Sequence, residues 1–180
     1  MRRVQEAALT LFERRGFDAV SIEEIAEAAG VGPATVYRNF GAKERLVLWD
    51  EYDPMLLDAI ARELADHAPI AAVERAVTSS LTAVYREDFA RILRRARLIR
   101  ATPALATTAE SDQRILRQAL AAVLLKARAV RDELEARVFA AALVGALAAG
   151  VERWLDGGGK EPLSRSFARA FACLRRLDGA

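Results

Sequence analysis

Cysteine is almost missing from this chain. Cys173 is the only one, so no disulfide can close within it, and a reducing cytoplasm is the expected setting. Histidine is equally scarce. His67 stands alone near Pro69, where capping helix carbonyls suits it better than proton transfer. One histidine and one cysteine cannot make a transition-metal cluster of the usual ligand types, so no metal or other cofactor is expected. The only glycine run, Gly157-Gly158-Gly159, has no Lys-Ser/Thr behind it and no strand before it, which excludes a phosphate-cradling loop. Together these absences exclude most catalytic constellations, and the chain does not read as an enzyme. Long apolar runs are lacking too. The stretch from Val138 to Val151 is free of charge but falls short of the roughly 20 residues a membrane span needs. Met1 is followed by two arginines, but Glu6 interrupts any signal-peptide pattern. An excess of one charge is also missing: the net charge is +2, although the pI is about 9.0.

What remains is apolar and helix-forming. Apolar residues make up 53 %, with much alanine and leucine, and aromatics only 7 %. No stretch alternates like a strand, so an all-α protein with a real core is expected. The most informative stretch is Ser21 to Phe40, SIEEIAEAAGVGPATVYRNF. Ser21 and Glu24 have capping-box spacing, and Val20 and Ile25 that of a hydrophobic staple. Ile25, Ala26 and Ala29 form a narrow apolar stripe. Gly30 suits a left-handed helix end, and Pro33 suits the first position of a second helix. That second helix is too short to stand alone. Val36 and Phe40, four apart, can hold it by one edge, while Thr35, Tyr37, Arg38 and Asn39 point away. A helix offered in this way matches the recognition helix of a helix-turn-helix.

The run IAEAAGVGPATVYRNFGAKERL, with AALTLFERRGFDAVS upstream, closely resembles the N-terminal domain of the TetR (tetracycline-repressor-like) transcriptional regulators. Gly16, Phe17, Ile25, Ala26, Gly30, Val31, Thr35, Tyr37, Phe40, Lys43 and Leu46 all fall in register. The resemblance covers about the first quarter of the chain. It implies a three-helix DNA-binding head over 1–45 and a helical effector-binding and dimerisation domain over 46–180. It implies phosphate contacts by Thr35, Tyr37 and Lys43, and places Gly32, Pro33, Ala34, Arg38 and Asn39 along the base-facing side. Ser21 is a further phosphate candidate. Bulk charge adds nothing here, since residues 1–45 carry seven basic and seven acidic side chains. The expected basic strip is local: Arg38, Lys43 and Arg45, with Arg2 and Arg3 at the start.

Further along, a fourth helix is expected from near Ala42, with Leu46, Trp49 and Tyr52 on successive turns. Helical segments follow at Met55–His67, Ile70–Tyr85, Asp88–Thr102, Ser111–Lys126 and Asp132–Leu155, and a last one runs from Pro162 to about Leu177. A helix as apolar all round as Val138–Val151 must be covered on more than one side. With the stripe of the last helix it could pair with its copy in a four-helix dimer interface. Leu143, Ala146, Leu147, Gly150, Trp154, Phe167, Phe171 and Leu174 are the candidates, and the resemblance implies the same interface. It also implies an apolar effector pocket, for which the aromatic candidates are Trp49, Tyr52, Tyr85, Phe89 and Phe139. The arginine cluster Arg86, Arg91, Arg94, Arg95, Arg97 and Arg100 reads either as a solvated face or as an anion site. The function that fits is a homodimeric, ligand-responsive DNA-binding regulator, most often a repressor, acting on a near-palindromic operator. The alternative is a helical small-molecule-binding or scaffold protein that reads no specific DNA.

Overall fold

The computed structural model describes residues 1–49 and 53–177, with side chains for all of these but 53, 54, 81–87 and 177. Among the described residues every regular element is a helix: α1 (Arg2–Arg15), α2 (Ile22–Ala29), α3 (Pro33–Phe40), α4 (Lys43–Leu48), α5 (Asp53–Glu63), α6 (Pro69–Ala101), α7 (Pro103–Lys126), α8 (Glu133–Asp156) and α9 (Leu163–Leu177). They form two compact units. The first joins Met1–Asp50 to Ala90–Glu110, and the second joins Glu51–Phe89 to Ser111–Ala180.

The first unit is built on the apolar faces the sequence sets out. Val4, Ala8, Leu9 and Phe12 of α1 bury against Ile22, Ile25, Ala26 and Ala29 of α2, Val36 and Phe40 of α3, and Leu46 and Val47 of α4. Phe12 and Phe17 stack at a tilt, with ring centroids 5.0 Å apart. Leu105 of α7 is completely buried in the same cluster, and Leu98 and Ile99 of α6 pack against it. Three sequence expectations need correction here. The fourth helix does not run on through Trp49. It ends at Leu48, where Trp49 turns out of helical geometry at ψ 120°. The segments expected at Ile70–Tyr85 and Asp88–Thr102 are one helix of 33 residues. The charged run Arg86-Glu87-Asp88 contains no glycine or proline, so nothing in it obliges the backbone to stop. The segment expected from Ser111 starts earlier: α7 opens at Pro103, as proline can at a first helical position.

In the second unit α8 and α9 pack along each other. Asp132 caps α8 by accepting the Glu135 N–H at 2.8 Å. Gly158 and Gly159, both at positive φ, turn the chain toward α9. Ala140, Leu143 and Val144 of α8, with Phe167 and Phe171 of α9, are buried. A methyl group on Gly150 would lie 2.5 Å from the Phe167 ring, so the absent side chain is what lets the two helices close. Arg75 bonds Glu63 at 2.6 Å, tying α6 to α5, and Arg175 pairs with Glu74, tying α9 to α6.

Candidate nucleic-acid interface

The α2–turn–α3 pair forms as its sequence signals direct. The Ser21 hydroxyl accepts the Glu24 N–H at 3.2 Å, and the Glu24 carboxylate accepts the Ser21 N–H at 2.8 Å. Arg15 adds a bond to Glu24 at 2.6 Å. The Ser21 backbone N–H first, then Arg15 and the Ser21 hydroxyl, hold the Glu24 carboxyl down to about 2. A carboxyl depressed in the folded state stabilises above its ordinary value and loses that contribution as pH falls through the folded one. The thermal midpoint of the first unit should therefore fall between about pH 4.5 and 2. Ser21→Ala should cost about 1 kcal/mol at neutral pH and move the Glu24 titration, followed by carboxyl NMR, back toward the usual range.

Gly30 then adopts φ 63°, ψ 42°, and its N–H bonds back to Ala26 and Glu27 carbonyls, closing α2. Arg3 reaches the same helix end and donates to the Ala29 carbonyl, with Nε at 2.7 Å. Arg3, expected in the basic strip, thus also caps α2. Gly32 and Pro33 start α3 without a side-chain cap. Val36 and Phe40 are its buried anchors, while Gly32, Pro33, Ala34, Tyr37, Arg38 and Asn39 are exposed and Thr35 is half-buried. Tyr37 donates from its hydroxyl to Glu23 at 3.4 Å. Lys43, at the start of α4, donates to the Phe17 and Val20 carbonyls at 2.8 and 3.0 Å and lies 4.4 Å from the centre of the Phe17 ring. An ammonium has three donors, so these two bonds leave one for an outside oxygen.

The centre of the arginine cluster is engaged by neighbouring elements of the first unit. Arg94 forks onto α1, bonding Glu13 at 2.7 and 2.9 Å, Thr10 at 3.0 Å, and Glu6. The Glu13 bonds lead in raising its pKa, with Glu6 adding to them. Arg91 donates to the side chain of Gln5 at 2.7 Å, and Arg95 to the Trp49 carbonyl at 2.9 Å. Arg86 lies outside the described side chains. Gln5 is the residue that sequence reasoning passed over. Its signal was a lone amide in helical register with Leu9 and Phe12 on α1.

Residues 5–48 match the family model for bacterial regulatory proteins of the tetR family, and residues 67–177 match the MftR C-terminal domain model. The chain belongs to the TetR family. Among curated relatives, the Escherichia coli transcriptional repressor BdcR is 33 % identical over 81 residues, 45 % of this chain and 39 % of BdcR. The Mycobacterium tuberculosis regulatory protein RaaS is 52 % identical over 44 residues, 24 % of this chain and 20 % of RaaS. The match thus spans less than half the length of each. Among solved structures, the SmeT–triclosan complex aligns with TM-score 0.65 at 16 % identity, over 96 % of this chain and 88 % of SmeT. SmeT is a repressor from Stenotrophomonas maltophilia. Thermus thermophilus FadR with lauroyl-CoA aligns with TM-score 0.57 at 22 % identity, over 96 % and 92 %. At such identity these two speak for the fold alone. Membership in a family of regulators favours the regulator over the scaffold reading.

The remaining TetR-family candidates lie as follows. Trp49 is half-buried against the first unit's core, edge-on to Phe40 with centroids 6.2 Å apart. Phe89 belongs to the second unit and meets Trp154 edge-on at 5.9 Å. Phe139 is half-buried on α8. Tyr52 and the side chain of Tyr85 lie outside the described residues. Leu143, Ala146, Gly150, Trp154, Phe167 and Phe171 are all buried within the single chain, and Leu147 and Leu174 are half-buried. Trp154 also donates its indole N–H to the Glu161 carbonyl at 2.9 Å. The outer side of α8 is different: Leu134 and Val138 are 71 % and 58 % exposed, and Ala142, Gly145 and Ala149 continue that row in the open.

Proposed function

We propose that this TetR-family protein is a cytoplasmic, non-enzymatic, ligand-responsive repressor of transcription. It binds a near-palindromic DNA operator as a homodimer and is released by a small, largely apolar effector. Residues 1–45 act as the DNA-reading head and residues 46–180 as the effector-binding and dimerisation part. One observation carries the reading. α3 is anchored by Val36 and Phe40 alone, and its polar side chains Tyr37, Arg38 and Asn39 are all offered outward. Apart from the Tyr37–Glu23 bond, no hydrogen bond or ion pair among the described residues of the head uses that surface, and a DNA major groove would suit it. Arg38 suits guanine O6/N7 and Asn39 suits adenine. Thr35, Tyr37, Lys43 and Ser21 serve the phosphates, Tyr37 by exchanging Glu23 for a phosphate oxygen. Gly32, Pro33 and Ala34 let the start of α3 approach the base edges closely. Selection of bound duplexes from a random pool, followed by footprinting, tests this. An enriched pool bound no better than the starting pool at matched salt would overturn it.

The effector is proposed to enter the second unit near Phe89 and Phe139. SmeT was solved with triclosan and the Thermus FadR with lauroyl-CoA, whose acyl chain is apolar and whose CoA end is anionic, which supports a ligand with a sizeable apolar part. Release follows from linkage: a ligand favouring one arrangement of the head must weaken DNA by the factor by which DNA weakens the ligand. For the dimer, the residues buried within one chain form the inner layer, and the exposed α8 row from Leu134 to Ala149 meets the partner. Gly145 has open space where a side chain would go, so Gly145→Asp should keep the fold and separate the copies. Sedimentation of a stable Gly145→Asp dimer would move the interface elsewhere.

A further inference from the structure

We propose that Gln5, Arg91 and Arg95 form a clasp that positions Trp49 and, through it, the end of α3. This rests on the DNA-binding reading above. Helix α4 stops at Leu48, which leaves its last carbonyls without intrahelical partners. The Gln5 amide supplies them. Its Nε2 donates to Leu46 at 2.9 Å, to Trp49 at 2.9 Å and, at 3.4 Å, to Val47. Gln5 is completely buried, so these bonds do not compete with water. Arg91 fixes which way the amide faces: its guanidinium donates to Gln5 Oε1 at 2.7 Å, so the NH₂ group must point at α4. Arg95 donates to the same Trp49 carbonyl from a second direction. Trp49 in turn lays its indole edge-on against Phe40, one of the two anchors of α3.

The order of contacts is therefore α6, Gln5, Trp49, Phe40. Arg91 and Arg95 are four apart and share one face of α6. The same helix belongs to the second unit over residues 69–89. A shift of α6 along its axis would move both guanidinium groups together and load both bonds in the same direction. Gln5 contributes nothing to the DNA-facing surface. It is a positioning residue, acting on α3 only through Trp49.

Gln5→Glu separates the two halves of the clasp. The carboxylate keeps an acceptor for Arg91 but presents oxygen, instead of N–H, to three carbonyls. The test uses full-length protein labelled with 5-fluorotryptophan, in which Trp49→Phe assigns the ¹⁹F resonance of Trp49 and leaves that of Trp154. Gln5→Glu should displace or broaden the Trp49 resonance and leave Trp154 in place. Affinity for duplex selected from a random pool should fall by about tenfold or more. Arg95→Ala, which keeps the buried amide, should move the same resonance less and weaken the same duplex less. It carries the test should Gln5→Glu not fold. A purely structural Gln5 would lower the thermal midpoint while leaving the Trp49 resonance of the folded protein and its affinity unchanged, and that result overturns the clasp. If the parent protein enriches no duplex, the DNA-binding reading fails on its own. The Trp49 resonance then still decides whether Gln5 and Arg95 hold that residue.

Discussion

Phe171→Asp should leave the second unit unfolded rather than dissociate a dimer. Phe171 is among the largest fully buried side chains, covered within a single chain. An unpaired carboxylate there would cost several kcal/mol, against a total stability of about 5–15 kcal/mol for an ordinary domain. Even Phe171→Ala, which only leaves a cavity, should cost about 3–5 kcal/mol. Gly150→Ala makes the companion case. The added methyl gains up to about 1 kcal/mol of helix propensity but meets the buried Phe167 ring at 2.5 Å, and overpacking of this kind costs about 1–3 kcal/mol. Helical circular dichroism with a thermal scan reads all three, and Gly145→Asp, at an open position, is the control. A folded, monomeric Phe171→Asp protein would show that Phe171 faces a second copy after all.

These outcomes turn on a distinction that a linear pattern does not contain. The stripe Leu163, Phe167, Phe171, Leu174 is plain in the sequence, because an amphipathic helix announces its apolar face at helical spacing. Whether that face meets its own chain or a copy is a matter of tertiary arrangement, to which periodicity is blind. The helix-turn-helix was legible nearly residue by residue because its signals are local. Ser21 and Glu24 are three apart, Gly30 ends one helix, and Pro33 opens the next. The end of α4 was not legible, because the groups that receive its carbonyls are remote in sequence: Gln5 from α1 and Arg95 from α6. The partners of Arg94 were hidden for the same reason. A run of guanidinium groups looks solvated until Glu6, Thr10 and Glu13 are brought beside Arg94 by the fold. The break expected near residue 86 does not form, because arginine and glutamate are good helix formers and the run Arg86-Glu87-Asp88 holds no glycine or proline.

Affinity for the selected operator should fall steeply with salt. A dimer making 6–10 phosphate contacts loses roughly 10³–10⁵ in affinity between 50 and 200 mM salt, because each neutralised phosphate releases counterions. The three kinds of contact then separate by their signatures. Tyr37→Phe removes a neutral donor, so it should weaken selected and random duplexes alike and leave the salt slope nearly unchanged. Lys43→Ala removes a charge, and the slope should become shallower by about one for each protomer. That slope is the reading to trust for Lys43, since its ammonium also holds the Phe17 and Val20 carbonyls. Loosening the α1–α2 loop would weaken binding by itself, but it would not change the number of counterions released. Lys43→Ala with lower affinity and an unchanged slope therefore assigns the lysine to the fold and not to DNA. Arg38→Ala should behave in a third way. It should cost about 1–3 kcal/mol on the selected operator, much less on random DNA, and relax the preference at one base pair in each half-site. Repeating the random-pool selection with Arg38→Ala reads that position directly. Equal losses on selected and random duplexes, with the half-site preference intact, would make Arg38 a phosphate contact and shift base reading toward Asn39 and the Pro33–Ala34 end of α3.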